Sequence, residues 1–536
     1  MKHYNLILFL LSFSLIFTSC ARKGRPDGGP KDEDAPILIS AEPAYESLNF
    51  NDDNIRIYFD EYIVLKDLNK QLIISPPFKN EPLITPQGTP SKYINIKILD
   101  TLKENTTYTF NFGNSIQDNN ENNPLENFKY IFSTGNFIDS LAIEGSVKDI
   151  KIQEAKKNYS VLLYKIDSTY NDSIVYKRKP DYVTRTYDSI NYKFTNLAEG
   201  KYFLMAIDES VSDYKFNSRT DKIGFLKDTL YLPKDSIIKS PIVLFKEVQP
   251  YIFKRGKEVS KGKIQFGYTG NQKNMTVKLL SKVPEDFMFK TEFEKDKDTL
   301  NYWYFSEKKL DSLNFIISED TSIDTATVFL RKKKLDSLSI SPNIKSTLHI
   351  GDTLMLMTNN PIRNFDSSKF SLVNTGDTTE VAHTLKMTSN NKLSVLFKQK
   401  MKTPYKFTAL PNAIEDIFKV KSKDTLTYTF STRETEDYGS IILNVNKEVE
   451  SPVIIELLKN NEVYKKQILK TSGKVEFNSL IPESYSIRAI IDKNNNGIWD
   501  TGNYLEKKLP ERILYYPDEL PELRANWISN LNFTIK

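Results

Sequence analysis

The sequence has a single cysteine, Cys20, and only three histidines in 536 residues. A disulfide framework and a Cys/His zinc site each need several such residues, so both are excluded. No histidine lies within reach of the cysteine for Cys–His catalysis, and a Ser–His–Asp triad would have to use His349 or His383. The P-loop, HExxH, GxSxG, GxGxxG and CxxC motifs are also missing. We therefore expect a protein that is not an enzyme.

The chain also lacks a strong charge of one sign and is poor in glycine. It has 74 basic and 69 acidic residues, a net charge of +5 that is too small for a nucleic-acid-binding protein. There are 29 Tyr and 32 Phe but only 19 Gly, a composition that favours β-strands. With 39% hydrophobic residues the chain can fold, and its length predicts four or five domains.

The longest apolar run, residues 6–17, is too short to span a bilayer but has the length of a signal-peptide core. It leads through small residues into Cys20, which resembles the lipobox of bacterial lipoproteins. An ordinary secretory signal is the alternative, but the only cysteine stands at the cleavage point. We expect residues 1–19 to be a cleaved signal peptide and 20–35 a flexible tether, lipidated at Cys20 and holding the protein to the membrane.

The sequence around Cys20 also bears on localisation. Ala21, instead of Asp, follows the cysteine, which resembles the sorting signal for the outer membrane of a Gram-negative bacterium. Residues 31–34 (KDED) resemble a signal that sends some lipoproteins to the cell surface. We expect a surface-exposed protein, with the periplasmic face as the alternative.

After the tether, alternating apolar and polar residues predict short strands separated by proline-containing turns. Residues 36–136 resemble the bacterial Ig-like domain of S-layer proteins. The resemblance rests on residues 36–37, 41–43, 57–62, 102–108 (LKENTTY), 114–118 and 132–134. It implies an antiparallel β-sandwich that acts as a structural or adhesive spacer.

Two sequence patterns recur in the second half of the chain. Residues 338–433 repeat the Ig-like pattern, because 412–416 and 428–432 match 114–118 and 130–134 in order. Residues 141–246 and 436–536 share a Phe, a Leu three positions later and a Tyr five after that. Both resemble the transthyretin-like, carboxypeptidase-regulatory type of sandwich. Residues 250–337 predict a further β domain of unassigned family.

The predicted fold class is therefore all-β, with Ig-like and transthyretin-like antiparallel sandwiches in tandem behind a cleaved lipoprotein signal peptide. We expect the five sandwiches to form a rod on a lipid tether.

One loop resembles the start of a calcium-binding loop. Oxygen ligands at positions 1, 3, 5, 7 and 9 would come from Asp492, Asn494, Asn496, the carbonyl of Ile498, and Asp500. Position 12 is an asparagine instead of the usual glutamate, so Ca²⁺ would bind weakly. The alternative is an Asn/Gly turn whose side chains bind their own backbone. No other cofactor is expected.

Two further segments have alternative interpretations. Residues 302–305 (YWYF) either stack on sugars or form a buried strand, and the buried strand is the simpler interpretation. Residues 331–334 (RKKK) are a basic run that is most simply a solvated loop.

These patterns favour a non-enzymatic outer-membrane lipoprotein that acts as a scaffold or protein-interaction module. Its expected partner is an outer-membrane β-barrel or assembly complex, since sandwich edges and flat aromatic faces can dock protein. The alternative is a carbohydrate-binding or adhesin lipoprotein that uses residues 302–305.

Overall fold

The structure is a computed structural model that describes residues 33–152, 158–186, 189–272, 274–294 and 297–536. It is 49% strand and 3% helical, and nearly all strand pairs are antiparallel, which confirms the all-β class. The helical elements are a single turn, α1 (Leu68–Gln71), and the 3-10 turns Asp172–Tyr176, Ser367–Lys369 and Thr435–Asp437. The predicted signal peptide and Cys20 lie outside the described residues. The sheets group into five units.

The first unit has eight strands. They are β1 (Leu38–Glu42), β2 (Asn54–Leu65), β3 (Ile73–Ser75), β4 (Leu83–Thr85), β5 (Ser91–Lys97), β6 (Thr107–Asn111), β7 (Ile116–Asp118) and β8 (Lys129–Ser133). One sheet has the order β1-β2-β5-β4, with β7 paired to the end of β2, and the other has the order β3-β6-β8. Alternation along β2 buries Ile55, Ile57 and Phe59 between the sheets.

The second unit also has eight strands. They are β9 (Leu141–Asp149), β10 (Ser160–Lys165), β11 (Tyr182–Arg185), β12 (Asn191–Leu197), β13 (Gly200–Asp208), β14 (Lys222–Phe225), β15 (Leu230–Leu232) and β16 (Ile242–Leu244). Its sheets are β11-β10-β13-β14, with β15 also on β13, and β12-β9-β16, in which β16 runs parallel to β9.

The third unit has seven strands. They are β17 (Ile252–Ser260), β18 (Lys263–Thr269), β19 (Thr276–Leu279), β20 (Met288–Phe293), β21 (Thr299–Phe305), β22 (Ser312–Glu319) and β23 (Ser322–Phe329). They form the sheets β17-β18-β21-β20 and β19-β22-β23 around one aromatic core.

The fourth unit has ten strands. They are β24 (Ile340–Pro342), β25 (Thr347–Leu348), β26 (Leu354–Thr358), β27 (Ile362–Phe365), β28 (Phe370–Asn374), β29 (His383–Ser389), β30 (Lys392–Phe397), β31 (Pro404–Ala409), β32 (Ile414–Asp416) and β33 (Leu426–Thr432). The sheets are β24-β26-β30-β29, β25-β33-β31-β28 and β27-β32.

The fifth unit has seven strands. They are β34 (Gly439–Lys447), β35 (Val453–Lys459), β36 (Glu462–Leu469), β37 (Gly473–Leu480), β38 (Ser486–Ile491), β39 (Ile513–Tyr515) and β40 (Ile528–Ile535). Its sheets β36-β35-β38-β39 and β37-β34-β40 have the connectivity of the second unit, including a parallel last strand, β40 on β34.

The first and fourth units share internal hydrogen bonds as well as strand order. The Tyr108 hydroxyl accepts from the N–H five residues earlier, at 2.9 Å, and Tyr405 does the same at 2.9 Å. The hydroxyls of Thr134 and Thr432 each donate to the carbonyl of that same earlier residue. These bonds close the loop before the core strand in both copies, so they belong to the shared fold.

The second and fifth units share a tyrosine turn at the predicted Phe-Leu-Tyr spacing. Tyr202 and Tyr485 are buried, and each hydroxyl donates to the carbonyl four residues earlier at 2.8 Å. Just before each turn, at the end of β12 and of β37, Asn196 and Ser479 have φ of 60° and 55°. The bond resembles a tyrosine corner, in which one buried hydroxyl fixes the path of a turn.

The tyrosine turn gives a first prediction. Tyr485→Phe removes the hydroxyl and leaves the part-buried Ile481 carbonyl without its partner, so the opening free energy of β37 and β38 should fall by about 1 kcal/mol. Native-state hydrogen exchange measures this change. Tyr464→Phe is the control, since Tyr464 is 40% exposed. Equal effects of the two substitutions would contradict the role of the bond.

The units do not form the simple rod expected from their order. Residues 499–515 of the fifth unit pack on the second unit, more than 250 residues earlier in the chain. The expectation of a rod was therefore wrong at this point. The chain folds back because both contacting surfaces are apolar and would otherwise be exposed.

Candidate interaction surfaces

The outer face of the β2–β5 sheet carries exposed aromatic residues. Even-numbered residues of β2 point away from the core, and this places Tyr58 and Tyr62 outside. Tyr93 on β5 is the direct cross-strand partner of Tyr58, with ring centroids 5.9 Å apart. Arg56 lies 5.5 Å from the Tyr93 ring, and Lys92 lies 5.5 Å from the Tyr62 ring. We call these five residues the tyrosine face.

The fourth unit does not reproduce this face. In it, outward positions on β26 and β30 hold Met355, Met357 and Lys392. Among the described residues, eight large hydrophobic side chains are exposed within 36–136 and three within 338–433. The eight are Ile37, Ile39, Tyr45, Leu48, Tyr62, Leu83, Tyr93 and Leu99, and the three are Leu396, Met401 and Leu410.

The carboxylates beside the tyrosine face serve the fold. Asp60 accepts the backbone N–H of Ile37 at 2.8 Å and thereby holds the start of the first unit. Glu61 is the next residue on the strand, so the two side chains point to opposite faces of the sheet.

A second surface is formed by residues 499–515, which pack on the second unit. We call these residues the docking segment. Tyr504 is fully buried and packs among Phe203, Phe225 and Tyr176, with centroids 5.3–6.2 Å away. Gly502 lies against Phe245, at 2.6 Å from the position of a Cβ, so any side chain there would clash. The aromatic insertion is therefore specific in shape.

Polar contacts surround the Tyr504 insertion. Thr501 Oγ1 donates to the Lys246 carbonyl at 2.6 Å, and the Tyr504 N–H donates to Glu247 Oε1 at 2.6 Å. Lys507 lies 4.1 Å from the Tyr504 ring and pairs with Asp172 at 2.7 Å. Burial raises the pKa of Glu247, so its charge opposes docking while its hydrogen bond favours it.

A third part of this contact is the Lys151 site. The Lys151 ammonium lies 4.7 Å from the Trp499 ring, and the backbone carbonyl of Lys151 accepts a hydrogen bond from the Tyr515 hydroxyl at 2.7 Å.

The docking segment was not predicted from the sequence. A signal was present, because β10 and β13 are apolar without alternation, which is typical of strands covered on both faces.

The docking segment gives a second prediction. Tyr504→Ala removes a buried ring, so docking should lose about 3 kcal/mol or more. Hydrogen exchange should then rise in the docking segment and in β13 and β14, and the radius of gyration in X-ray scattering should increase. The adjacent Leu505 is 58% exposed, and Leu505→Ala should change neither quantity. An unchanged scattering curve for Tyr504→Ala would refute the contact.

The calcium-loop residues do come together. Asp492 is fully buried, and its two carboxylate oxygens accept from the N–H groups of Asn496 and Gly497 at 3.1 and 2.8 Å. The amides of Asn494 and Asn496 both donate to Asp500 Oδ2, at 2.6 and 2.7 Å. This is the arrangement of an Asn/Gly turn that satisfies its own backbone.

Glu511 is the loop residue that sequence reasoning missed. Its carboxylate accepts from the N–H groups of Lys493 and Asp500 at 2.7 and 3.1 Å, so it closes the loop from outside the motif. The indole N–H of Trp499 donates to the Glu511 carbonyl at 3.0 Å, which is a further bond between the loop and Glu511. Among the described residues, no group of three or more His, Cys, Asp or Glu side chains is placed to hold a metal ion.

Calcium binding by Asp492, Asn494, Asn496, Ile498 and Asp500 stays a prediction, with an expected Kd of about 1 mM. Millimolar Ca²⁺ should slow hydrogen exchange across residues 492–500, and equal Mg²⁺ should not. Asp500→Asn removes one charge and should abolish the effect. If 10-fold more Ca²⁺ than this Kd leaves exchange unchanged, the loop is a turn and nothing more.

Residues 302–305 do not form a sugar platform. Tyr302, Trp303 and Tyr304 are all buried, at 0%, 3% and 8% exposed, and Tyr302 packs against Phe266 and Phe315. The buried-strand interpretation is thus confirmed, and the carbohydrate hypothesis loses the residues on which it was based.

The two later histidines lie in separate environments. His349 Nδ1 is 3.1 Å from the Tyr438 hydroxyl, and burial lowers its pKa. His383 Nδ1 is 3.1 Å from the Val381 carbonyl. The hydrogen bonds of these rings go to a phenol and a carbonyl, and neither pattern is that of a catalytic triad.

Comparison with known proteins identifies the first unit. Residues 32–134 match the model of the bacterial Ig-like domain. The first unit is a bacterial Ig-like domain. This confirms the resemblance found in the sequence and indicates a surface or interaction module. No curated protein matches the chain.

Several solved structures align with the chain at low identity. The surface layer protein SbsC, domains 1–6, is 10% identical over 91% of this chain and 68% of that one, with a TM-score of 0.15. The I9–I11 tandem of titin is 10% identical over 53% and 100%, with a TM-score of 0.12. Extracellular domains 3–5 of Drosophila OTK are 9% identical over 55% and 93%, with a TM-score of 0.15. TM-scores this low carry no argument about domain arrangement or function.

Across the part of the chain that the structure describes, no helix has the length and apolar character needed to cross a membrane. Cys20, the predicted lipid attachment residue, precedes that part.

Proposed function

We propose that the protein is a non-enzymatic outer-membrane lipoprotein that acts as a scaffold, and that its tyrosine face docks on an outer-membrane β-barrel or assembly complex. The observation that supports this is the difference between two units of the same fold. The first carries the tyrosine face, and the fourth does not.

Comparing the first and fourth units distinguishes the residues that the fold needs from those that are available for another role. Their common features, such as the Tyr108 and Tyr405 hydrogen bonds, are what the sandwich needs. The outward-facing Tyr58, Tyr62 and Tyr93 have no counterparts in the fourth unit and are therefore not needed to fold it. Tyrosine and arginine are enriched at the centres of protein interfaces, because they combine apolar area with directed hydrogen bonds.

The position of the first unit supports a membrane-embedded partner. If Cys20 carries the lipid, residues 20–35 are all that separates the first unit from the bilayer. A flexible tether of that length spans roughly 22 Å on average, and about 55 Å when fully extended. The tyrosine face would stay within reach of the extramembrane part of a barrel, on the cell surface or on the periplasmic side.

The second and fifth units fit the transthyretin-like type in this proposal. Each has two sheets, a parallel last strand and the tyrosine turn at Tyr202 or Tyr485. Because the docking segment joins them, they would hold the intervening units in a fixed arrangement, as a scaffold requires. The carbohydrate-binding alternative would need another aromatic platform in place of residues 302–305.

Photo-crosslinking in intact cells tests the proposal. A benzophenone amino acid at Tyr62 or Tyr93 should crosslink to one outer-membrane protein, identified by mass spectrometry. The same residue at Lys392 or Lys398 of the fourth unit should not, and both lysines are exposed. Cys20→Ser should abolish the crosslink, because the protein would no longer be held at the membrane.

Two results would refute the proposal. One is equal crosslinking from the first and fourth units, which would mean that the tyrosine face has no special role. The other is a monomer that survives mild detergent extraction alone and is retained on a glycan resin, which would favour the adhesin alternative.

A further inference from the structure

A cavity of about 520 Å³ lies where the third unit meets the fourth. The third unit provides nearly all of the wall, and Phe418 of the fourth closes one side. Gly262, with φ of 79°, contacts the Phe418 ring, and the Tyr304 carbonyl lies 2.8 Å from the position of its Cβ. Lys419 lies 4.9 Å from the Phe305 ring and pairs with Glu307, which holds the two units together beside the cavity.

Basic residues dominate the polar part of this wall. Six of the lining residues are cationic and two are acidic. The cations are Lys261, Lys308, Lys309, Arg331, Lys332 and Lys333, and the acids are Glu258 and Glu307. The basic run read from the sequence as a solvated loop thus provides half of the cations of a concave site.

The two acids already have partners. Glu258 is buried, and its carboxylate accepts from the Tyr304 hydroxyl at 3.0 Å and the Arg331 N–H at 2.8 Å. Glu307 is paired with Lys419. Neither acid is within ion-pair distance of a cation that lines the cavity.

Lys309 pairs with Asp311 at 3.2 Å. The charged groups of the other five lining cations have no carboxylate within 4.0 Å in the described part of the chain: Lys261, Lys308, Arg331, Lys332 and Lys333, the last of which donates to the Val259 carbonyl at 3.1 Å. Like charges held on one concave wall repel each other and focus a positive potential into the cavity. An anion with more than one charge would relieve this repulsion.

The cavity also contains a buried hydroxyl without a partner. Ser306 lines the wall, and its Oγ is shielded from solvent without a hydrogen bond to any described residue. A buried hydroxyl without a hydrogen bond costs free energy, and a bound molecule could supply the missing bond. Phe305, Leu310, Leu330 and Phe418 supply apolar surface beside it.

From this arrangement we infer that the cavity between the third and fourth units binds a phosphate ester that has an apolar substituent. A phosphate dianion matches the five cations without a carboxylate partner and offers acceptor oxygens to Arg331 and Ser306. A carboxylate has one charge and fits the set less well. The apolar substituent would lie on Phe305 and Phe418.

Phenyl phosphate is the probe, tested against the full-length protein in non-ionic detergent by isothermal titration calorimetry. It should bind saturably at one site, whereas phenol should not bind and benzoate should bind at least about tenfold more weakly. Lys308→Gln combined with Lys332→Gln should weaken binding by about tenfold or more. Lys392→Gln combined with Lys398→Gln, on exposed lysines of the fourth unit, is the matched control and should have no effect.

Ser306→Ala separates ligand contact from stability. Removing an unpartnered buried hydroxyl breaks no internal bond, so the melting temperature should not fall. Phenyl phosphate binding should nevertheless weaken several-fold. Unchanged binding by this variant together with the double lysine variant would overturn the inference, as would equal affinity for benzoate or no saturable binding by the wild type.

Vesicles identify the source of the phosphate. If phosphatidylglycerol vesicles compete with phenyl phosphate and phosphatidylcholine vesicles do not, the ligand is a membrane headgroup. Competition by neither would assign it to a soluble phosphate ester. Both results keep the phosphate chemistry and differ only in where the ligand comes from.

Discussion

The insertion of Tyr504 into the outer face of the second unit joins the second and fifth units. The β10–β13 sheet of that unit is apolar on both sides, and its inner side is covered by the β12-β9-β16 sheet. Residues 499–515 cover part of the outer side, and residues 170–176 and 214–216 of the second unit's own loops cover the rest of that apolar cluster. Burial of one aromatic ring with its surroundings thus joins two units that lie more than 250 residues apart in the chain.

What could be predicted from the sequence was local and periodic. Alternation in β2 predicts a half-buried strand, and the Phe-Leu-Tyr spacing predicts a turn that the Tyr202 and Tyr485 hydroxyls close in the same way. The bacterial Ig-like pattern was recognisable because its turns and core strand come in a fixed order. Such features depend on neighbours within about 30 residues.

What could not be predicted depended on distant partners. Nothing near Tyr504 shows that its ring contacts Phe203, and nothing near Asp492 shows that Glu511 closes its loop. The YWYF run is compatible with a platform or a core strand, and only the packing of Tyr302 against Phe315 decides for the core. The RKKK run became a cavity wall only because Phe418 of the next unit closes it.

Comparison within the chain separates folding requirements from other uses of the surface. Bonds present in both the first and the fourth unit, such as those of Thr134 and Thr432, are part of the sandwich. The tyrosine face occurs in the first copy, and the cationic cavity forms where the fourth unit meets the third. Neither the tyrosine face nor the cationic cavity is needed for the sandwich fold. The first is aromatic and the second is cationic, so we expect them to bind different partners.

The contact between the second and fifth units, which we call the closed arrangement, is tested most directly by measuring the distance between these units in solution. The only natural cysteine is Cys20, so Lys177→Cys with Glu506→Cys adds the two sites needed for spin labels, both at exposed positions. Double electron–electron resonance should give one narrow distance distribution, and Tyr504→Ala should broaden it. A broad distribution in the otherwise unaltered protein would contradict the closed arrangement.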